Sequence, residues 1–174
     1  MKKLATAFLT LAAMFAAQFT NAQTNSAQPD TATVNFITQA STGSYKEIAT
    51  GRLAQKKAQS GQVKAFGSRM VADHSLANNL LMRIVKAKGY QVPAPPSADA
   101  VKDPMLDNAS GAAFDKAYAA MMVVDHQKTI ALFQHAANTL PDAKVKAFAK
   151  AQLPVLKKHL TMIQQINNKV NGAK

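Results

Sequence analysis

Along four stretches of the chain, apolar residues return every three or four positions, the spacing that gives an α-helix one buried face. The first run, about 31–60, places Val34, Ile37, Ala40, Ile48 and Ala54 on that face together with Ser44, Glu47 and Gly51. Asp30 or Thr31 can cap its start, and Ser60-Gly61 reads as a left-handed stop at its end. The second run, about 62–88, carries Val63, Phe66, Met70, Leu81 and Val85, with Asp73 and His74 in the middle and Gly89 as its stop. In the third, about 111–138, Ser110 is the cap and Phe114, Tyr118, Met122 and Phe133 point inward, flanking Asp125-His126. The fourth, about 141–170, starts with Pro141 in its first turn and turns Val145, Phe148, Val155, Leu156 and Ile163 inward, with His159 among them. Pro154 inside this run removes one backbone donor and predicts a kink just before His159.

The connections complete the architecture. Runs one and two, and runs three and four, are joined by short links, so each pair is expected to fold back as a hairpin. Residues 90–104 contain Pro93, Pro95, Pro96 and Pro104, too many for a helix, and lack the alternation of a strand. A short helical turn is expected at 105–108. The predicted fold is an all-α, antiparallel four-helix bundle of ferritin-like type, with a long crossover between helices two and three. The bundle spans 31–170, after a polar tether at 23–30 and before a tail at 171–174. Val63-Lys64-Ala65-Phe66 recurs as Val145-Lys146-Ala147-Phe148, each time just after a turn. Measured from the Val, Glu47 lies 16 residues before and His74 11 after in the first hairpin, and His126 lies 19 before and His159 14 after in the second. Both limbs lengthen by the same amount, so the polar groups stay level within each hairpin.

A carboxylate facing inward needs a partner, because burying an unpaired charge is very unfavourable. Glu47, His74, His126 and His159 together form a nitrogen-rich donor set with one carboxylate, suited to iron, zinc, copper or manganese. His74 and His159 occupy equivalent places in the two hairpins and lead as candidates. Asp73 and Asp125 each lie one residue from a histidine, about 100° around the helix, so they flank such a centre as acceptors or reach the next helix. The same residues also read as a metal-free network of buried hydrogen bonds and ion pairs. Met70, Met122 and Met162 share helix faces with the histidines, as thioether donors for Cu(I) or as ordinary core filler. No nucleophile arrangement, phosphate loop or zinc-protease motif is present, so no catalytic residue is assigned.

Composition adds the compartment. Lys2 and Lys3 precede an apolar stretch, Leu4 to Ala17, and Thr20-Asn21-Ala22 offers small residues for cleavage after Ala22, so 1–22 is expected to be a signal peptide. The expected product is a mature chain without a transmembrane segment, in the periplasm or secreted. The absence of cysteine excludes a lipid-anchored lipobox, disulfides and thiolate sites. The net charge of +12, two units of it from Lys2 and Lys3, is spread over all four runs without a basic block. With no Trp and three Tyr, a nucleic-acid platform is not expected. This charge reads as a solvated basic surface that aids solubility or as a face for anionic envelope components; no partner is assigned, and a homo-oligomer is compatible.

Glu47 with Gly51-Arg52-Leu53-Ala54, Val63 to Phe66, Met70 to His74, Phe114-Asp115 with Tyr118, Asp125-His126, and Leu153-Pro154 with His159 resemble an uncharacterised bacterial domain family of unknown function. Its members are often labelled outer-membrane proteins and grouped with ferritin-like bundles. The resemblance covers about 31–166 and implies an exported four-helix bundle without an established activity. Di-iron ferritins place Glu three residues before His, but here Val71 and Leu156 stand there, so ferroxidase chemistry does not carry over. No strand alternation supports an outer-membrane barrel. Two functions follow from the sequence. One is an envelope stress or interaction protein with a structural Glu/Asp/His centre. The other is a periplasmic metal-binding protein, redox-active in one version.

Overall fold

The computed structural model of the protein describes residues 28–94 and 96–172; the expected signal segment, the tether as far as residue 27, and residues 173–174 lie outside the described residues. The regular structure of the described residues is helical, with helices α1 (Thr31–Lys57), α2 (Gly61–Ala87), α3 (Pro104–Asn108), α4 (Gly111–Thr139) and α5 (Ala143–Gly172) and one 3₁₀ turn at Ala98–Ala100. Helix α1 lies along α2 and α4 along α5, while α1 also meets α4 and α2 meets α5. The result is a helical bundle with two apolar clusters. One joins Phe36, Ile37, Leu81, Phe133, Val145 and Phe148. The other joins Ala54, Phe66, Met70, Phe114, Tyr118 and Ile163 at the opposite end. The polar residues Glu47, His74, His126 and His159 fall between them, each buried.

The α1–α2 pair is held close by two glycines. A Cβ on Gly51 would stand 2.7 Å from the carbonyl oxygen of Gly67, and one on Gly67 would meet Ala54 Cβ and Gly51 O, both at 2.7 Å. The backbones touch where no larger residue fits. Farther along the same pair, buried Ser41 donates to Asn78 Oδ1 at 2.7 Å.

Helix ends follow the sequence in part. Asp30 Oδ1 accepts from Thr33 N–H, and Gly89, with φ of 65°, ends α2 in the left-handed conformation. Three local expectations are corrected. Helix α1 stops at Lys57, and Gly61 is the first residue of α2 rather than a left-handed cap. The cause is Asp115 on α4, whose carboxylate accepts from the backbone N–H groups of Gln59 (3.1 Å) and Ser60 (2.8 Å) and fixes an extended link. Pro141 precedes α5, and Asp142 caps it by accepting from Val145 N–H at 2.9 Å. Finally, Val155 faces outward, 37% exposed, while Leu156 is buried.

The crossover is tied down at α3. Leu106 is fully buried, and Lys57 Nζ, in the last turn of α1, donates to the carbonyls of Leu106 and Asp107. That ammonium thereby bridges α1 to the carbonyl end of the short helix.

Candidate metal centre

Three helices each contribute one imidazole to the middle of the bundle. His74 from α2, His126 from α4 and His159 from α5 have ring centroids 6.1, 5.7 and 5.6 Å apart in the three pairings. One ring nitrogen from each lies within 4.8 Å of the others. Phe66 forms the floor, edge-on to His126 at 6.0 Å and to His159 at 6.3 Å.

Two of the rings are oriented by bonds on their far side. His126 Nδ1 is 2.9 Å from the carbonyl oxygen of Met122, one turn earlier, so this nitrogen carries the proton and Nε2 keeps its lone pair. His159 Nε2 is 2.8 Å from Asp73 Oδ2, which leaves Nδ1 as the lone-pair nitrogen. Arg69, 3.6 Å from the same carboxylate oxygen, steadies Asp73 from the solvent side. One nitrogen of each ring, His74 Nε2, His126 Nε2 and His159 Nδ1, is buried and has no hydrogen-bond partner.

Burial dominates the electrostatics. Loss of solvent lowers the pKa of His74 to about 3, with further lowering by the neighbouring His126 and His159. His126 is lowered to about 4, chiefly by burial, although its bond to the Met122 carbonyl opposes this. His159 is lowered by burial against the raising effect of Asp73. Glu47 moves the other way, up to about 8, because burial disfavours its anion and Asp125 adds repulsion. At neutral pH the centre therefore holds three neutral imidazoles and a neutral carboxyl. The 3.7 Å approach of Glu47 Oε1 to His126 Nδ1 is thus not an ion pair, since neither partner is charged.

The structure does not bring all the sequence candidates to one point. Glu47 stands outside the group of three, against the His126 nitrogen already committed to Met122, and its Oε2 is buried without a partner. Asp73 touches the centre through His159. Asp125 turns away and pairs with Lys46 of α1 at 2.6 Å, the reach to the next helix that its position allows. Met70 and Met122 are fully buried in the cluster below the histidines. Tyr118 was legible only as a core residue, yet its hydroxyl is also buried without a partner. Burial, then Glu47, raises its pKa well above the usual value. A cavity of about 40 Å³ adjoins the centre, walled by Glu47, His74, His159, Leu81, Phe133 and Leu156.

Comparison with known proteins places this geometry in context. A family model described as "Domain of unknown function (DUF4142)" matches residues 18–166. The fold is similar to the crystal structure of a conserved hypothetical protein from Mycobacterium tuberculosis, with a TM-score of 0.64, 14% identity, and coverage of 79% of this chain and 91% of that one. No curated protein matches the chain.

Proposed function

We propose that this chain, which belongs to the DUF4142 family, is an exported protein that binds one transition-metal ion through His74, His126 and His159. The observation that carries this reading is the set of three buried imidazoles, with one ring nitrogen of each within 4.8 Å of the others and each ring keeping a buried nitrogen without a partner. A structural polar network would satisfy its members, because a buried polar group left unpaired is destabilising by about 1–3 kcal/mol. Here the bonds lie on the outer nitrogens of His126 and His159, the arrangement that orients imidazoles toward a metal. Three neutral imidazoles suit zinc, copper or ferrous iron, and a three-histidine set leaves a further coordination position open. Imidazole nitrogens around a tetrahedral zinc stand about 3.3 Å apart, so the rings would draw in on binding. A divalent ion entering a neutral site also needs a counter-charge. Glu47 is the buried carboxyl at hand, acting as compensating anion once deprotonated.

The four long helices are read as an antiparallel bundle of ferritin-like topology, with residues 88–110 as the crossover. The reading of export rests on Lys2-Lys3, the apolar segment 4–17 and Thr20-Asn21-Ala22. It is checked by amino-terminal sequencing of the protein recovered from the periplasm or the medium, expected to begin at Gln23.

The deciding experiment measures metal content of purified, tag-free protein after dialysis, and thermal midpoints with and without Zn²⁺, Cu²⁺, Fe²⁺ or Mn²⁺. One equivalent of a retained metal and a raised midpoint are expected, since a ligand favouring the native state stabilises it. A midpoint raised by none of the four ions overturns the metal reading.

A further inference from the structure

The seam between α2 and α5 reaches down to Asp73 and His159 of the histidine centre, and it is strongly one-sided in charge. Helix α5 carries six lysines and no carboxylate. Helix α2 carries four cations and the single carboxylate of Asp73, already engaged by His159 and Arg69.

Two depressions run along this seam. One, of about 240 Å³, has Leu76, Ala77 and Val155 on its walls and Arg69 and Lys158 at its edges. The other, of about 440 Å³, has Ile84, Ala147 and Ala151 on its walls and Arg83 and Lys144 at its edges. Leu80 and Gln152 line both, so the two are continuous. The α2 residues recur at three- and four-residue steps from Arg69 to Ala87, a length of about 27 Å at 1.5 Å per residue. Alanines keep the floor low, and Leu76 stands 60% exposed on its edge.

We infer that this groove is a docking site for an acidic amphipathic helix of another protein, with its apolar stripe on the seam and its carboxylates on the cationic rims. The occupant follows from shape and charge together. A concave apolar floor accepts the ridge of a helix whose anchors recur at three- and four-residue steps. A bilayer would instead be met by a convex apolar face buried among the headgroups. Cations stand on both helices, at both ends of the groove, so a partner with acids on each flank is held in register.

The test uses a fluorescein-labelled synthetic helix of about 18 residues, the span of the groove, with Leu and Ala on one face and Glu on both flanks. Binding to the protein is followed by anisotropy, beside a scrambled peptide of the same composition and vesicles of phosphatidylglycerol and phosphatidylcholine. Saturable binding of the amphipathic peptide is expected. The pair Leu76→Ser/Val155→Ser and the pair Arg83→Glu/Lys144→Glu should each weaken it by about tenfold or more. The pair Lys56→Glu/Lys128→Glu, exposed on α1 and α4, should leave it within about twofold, far below a tenfold step. Amide shift changes in the wild-type protein should concentrate on α2 and α5, which decides the matter even if a variant folds poorly. Equal binding of the scrambled peptide, equal losses in the α1/α4 pair, or binding of vesicles without the peptide each overturns the inference. Metal is not needed for any of these readouts, so their failure is separable from failure of the metal reading.

Discussion

His74, His126, His159 and Glu47 act on the stability of the metal-free protein in opposite directions as pH changes. A histidine whose pKa falls on folding binds fewer protons in the native state, so its contribution is present above about 6.5 and is lost as pH falls. Glu47 is raised from 4.5 to about 8, so its contribution is full below 4.5 and declines as pH rises through that window. Between 4.5 and 6.5 His74 and His126, with His159 acting in the same direction, oppose one carboxyl and the slope is upward. Above 6.5 Glu47 acts alone and the slope reverses. Urea unfolding at stepped pH is expected to show a maximum near 6.5 with the acid limb steeper, and Glu47→Gln should flatten the alkaline limb. An alkaline limb unchanged in Glu47→Gln would remove Glu47 from this account. At the same scale, Asp73→Asn should weaken metal affinity about 10–100-fold by releasing His159, measured by competition with a chelator. His159→Ala should weaken it more, and an equal loss would mean that Asp73 does more than orient.

Within the helices, the contacts that fix α1 on α2 are backbone contacts. Gly51→Ala and Gly67→Ala each place a Cβ 2.7 Å from a carbonyl oxygen, and a backbone atom cannot rotate away. Each substitution is expected to destabilise the protein by about 1–3 kcal/mol, despite alanine's better helix propensity, and the double variant should lose less than the sum because both relieve the same contact. Denaturant midpoints check this, and a neutral Gly67→Ala would show that the helices separate freely. Gly51 was legible in the sequence as a small residue beside Glu47 on the inward face. Gly67 was not, because one glycine between Phe66 and Ser68 carries no mark of which helix crosses it. The four helices, their order and the burial of the three histidines were legible because period and offset determine face and height. The direction of each carboxylate was not. Asp73 and Asp125 hold the same place before a histidine, yet one meets His159 and the other Lys46. Their aim is set by helix rotation and by the charge on the facing helix, which a single sequence does not encode locally. Ser41 and Asn78 escaped notice for the same reason, since each looks polar alone and they satisfy one another only across α1 and α2.

Across the whole molecule, the α1–α2 and α4–α5 pairs are joined by two polar pins, with the histidine centre between. At one end Asp115 of α4 holds the α1–α2 link through the Gln59 and Ser60 N–H groups. At the other, Asp142 before α5 accepts from Lys88 and Tyr90 at the end of α2. Burial opposes the Asp142 anion, but bonds from Lys88, Tyr90 and the Val145 N–H hold its pKa down to about 2. In between, His74 belongs to the α1–α2 pair and His126 and His159 to the α4–α5 pair, so a bound ion would be a third link. Asp115→Ala leaves two backbone donors without their acceptor and is expected to lower stability by about 1–3 kcal/mol, without touching any imidazole. Linkage then makes a sharper demand. Stabilisation by metal depends only on free ion concentration and the affinity of the native site, about 2.7 kcal/mol at one hundred times Kd. If the pins act independently, Asp115→Ala should start lower than wild type and gain the same increment from Zn²⁺ at each concentration, as read from urea unfolding at pH 7. A markedly smaller gain would mean that Asp115 helps shape the histidine centre from the far end of α4, and that the two helix pairs meet as one coupled unit.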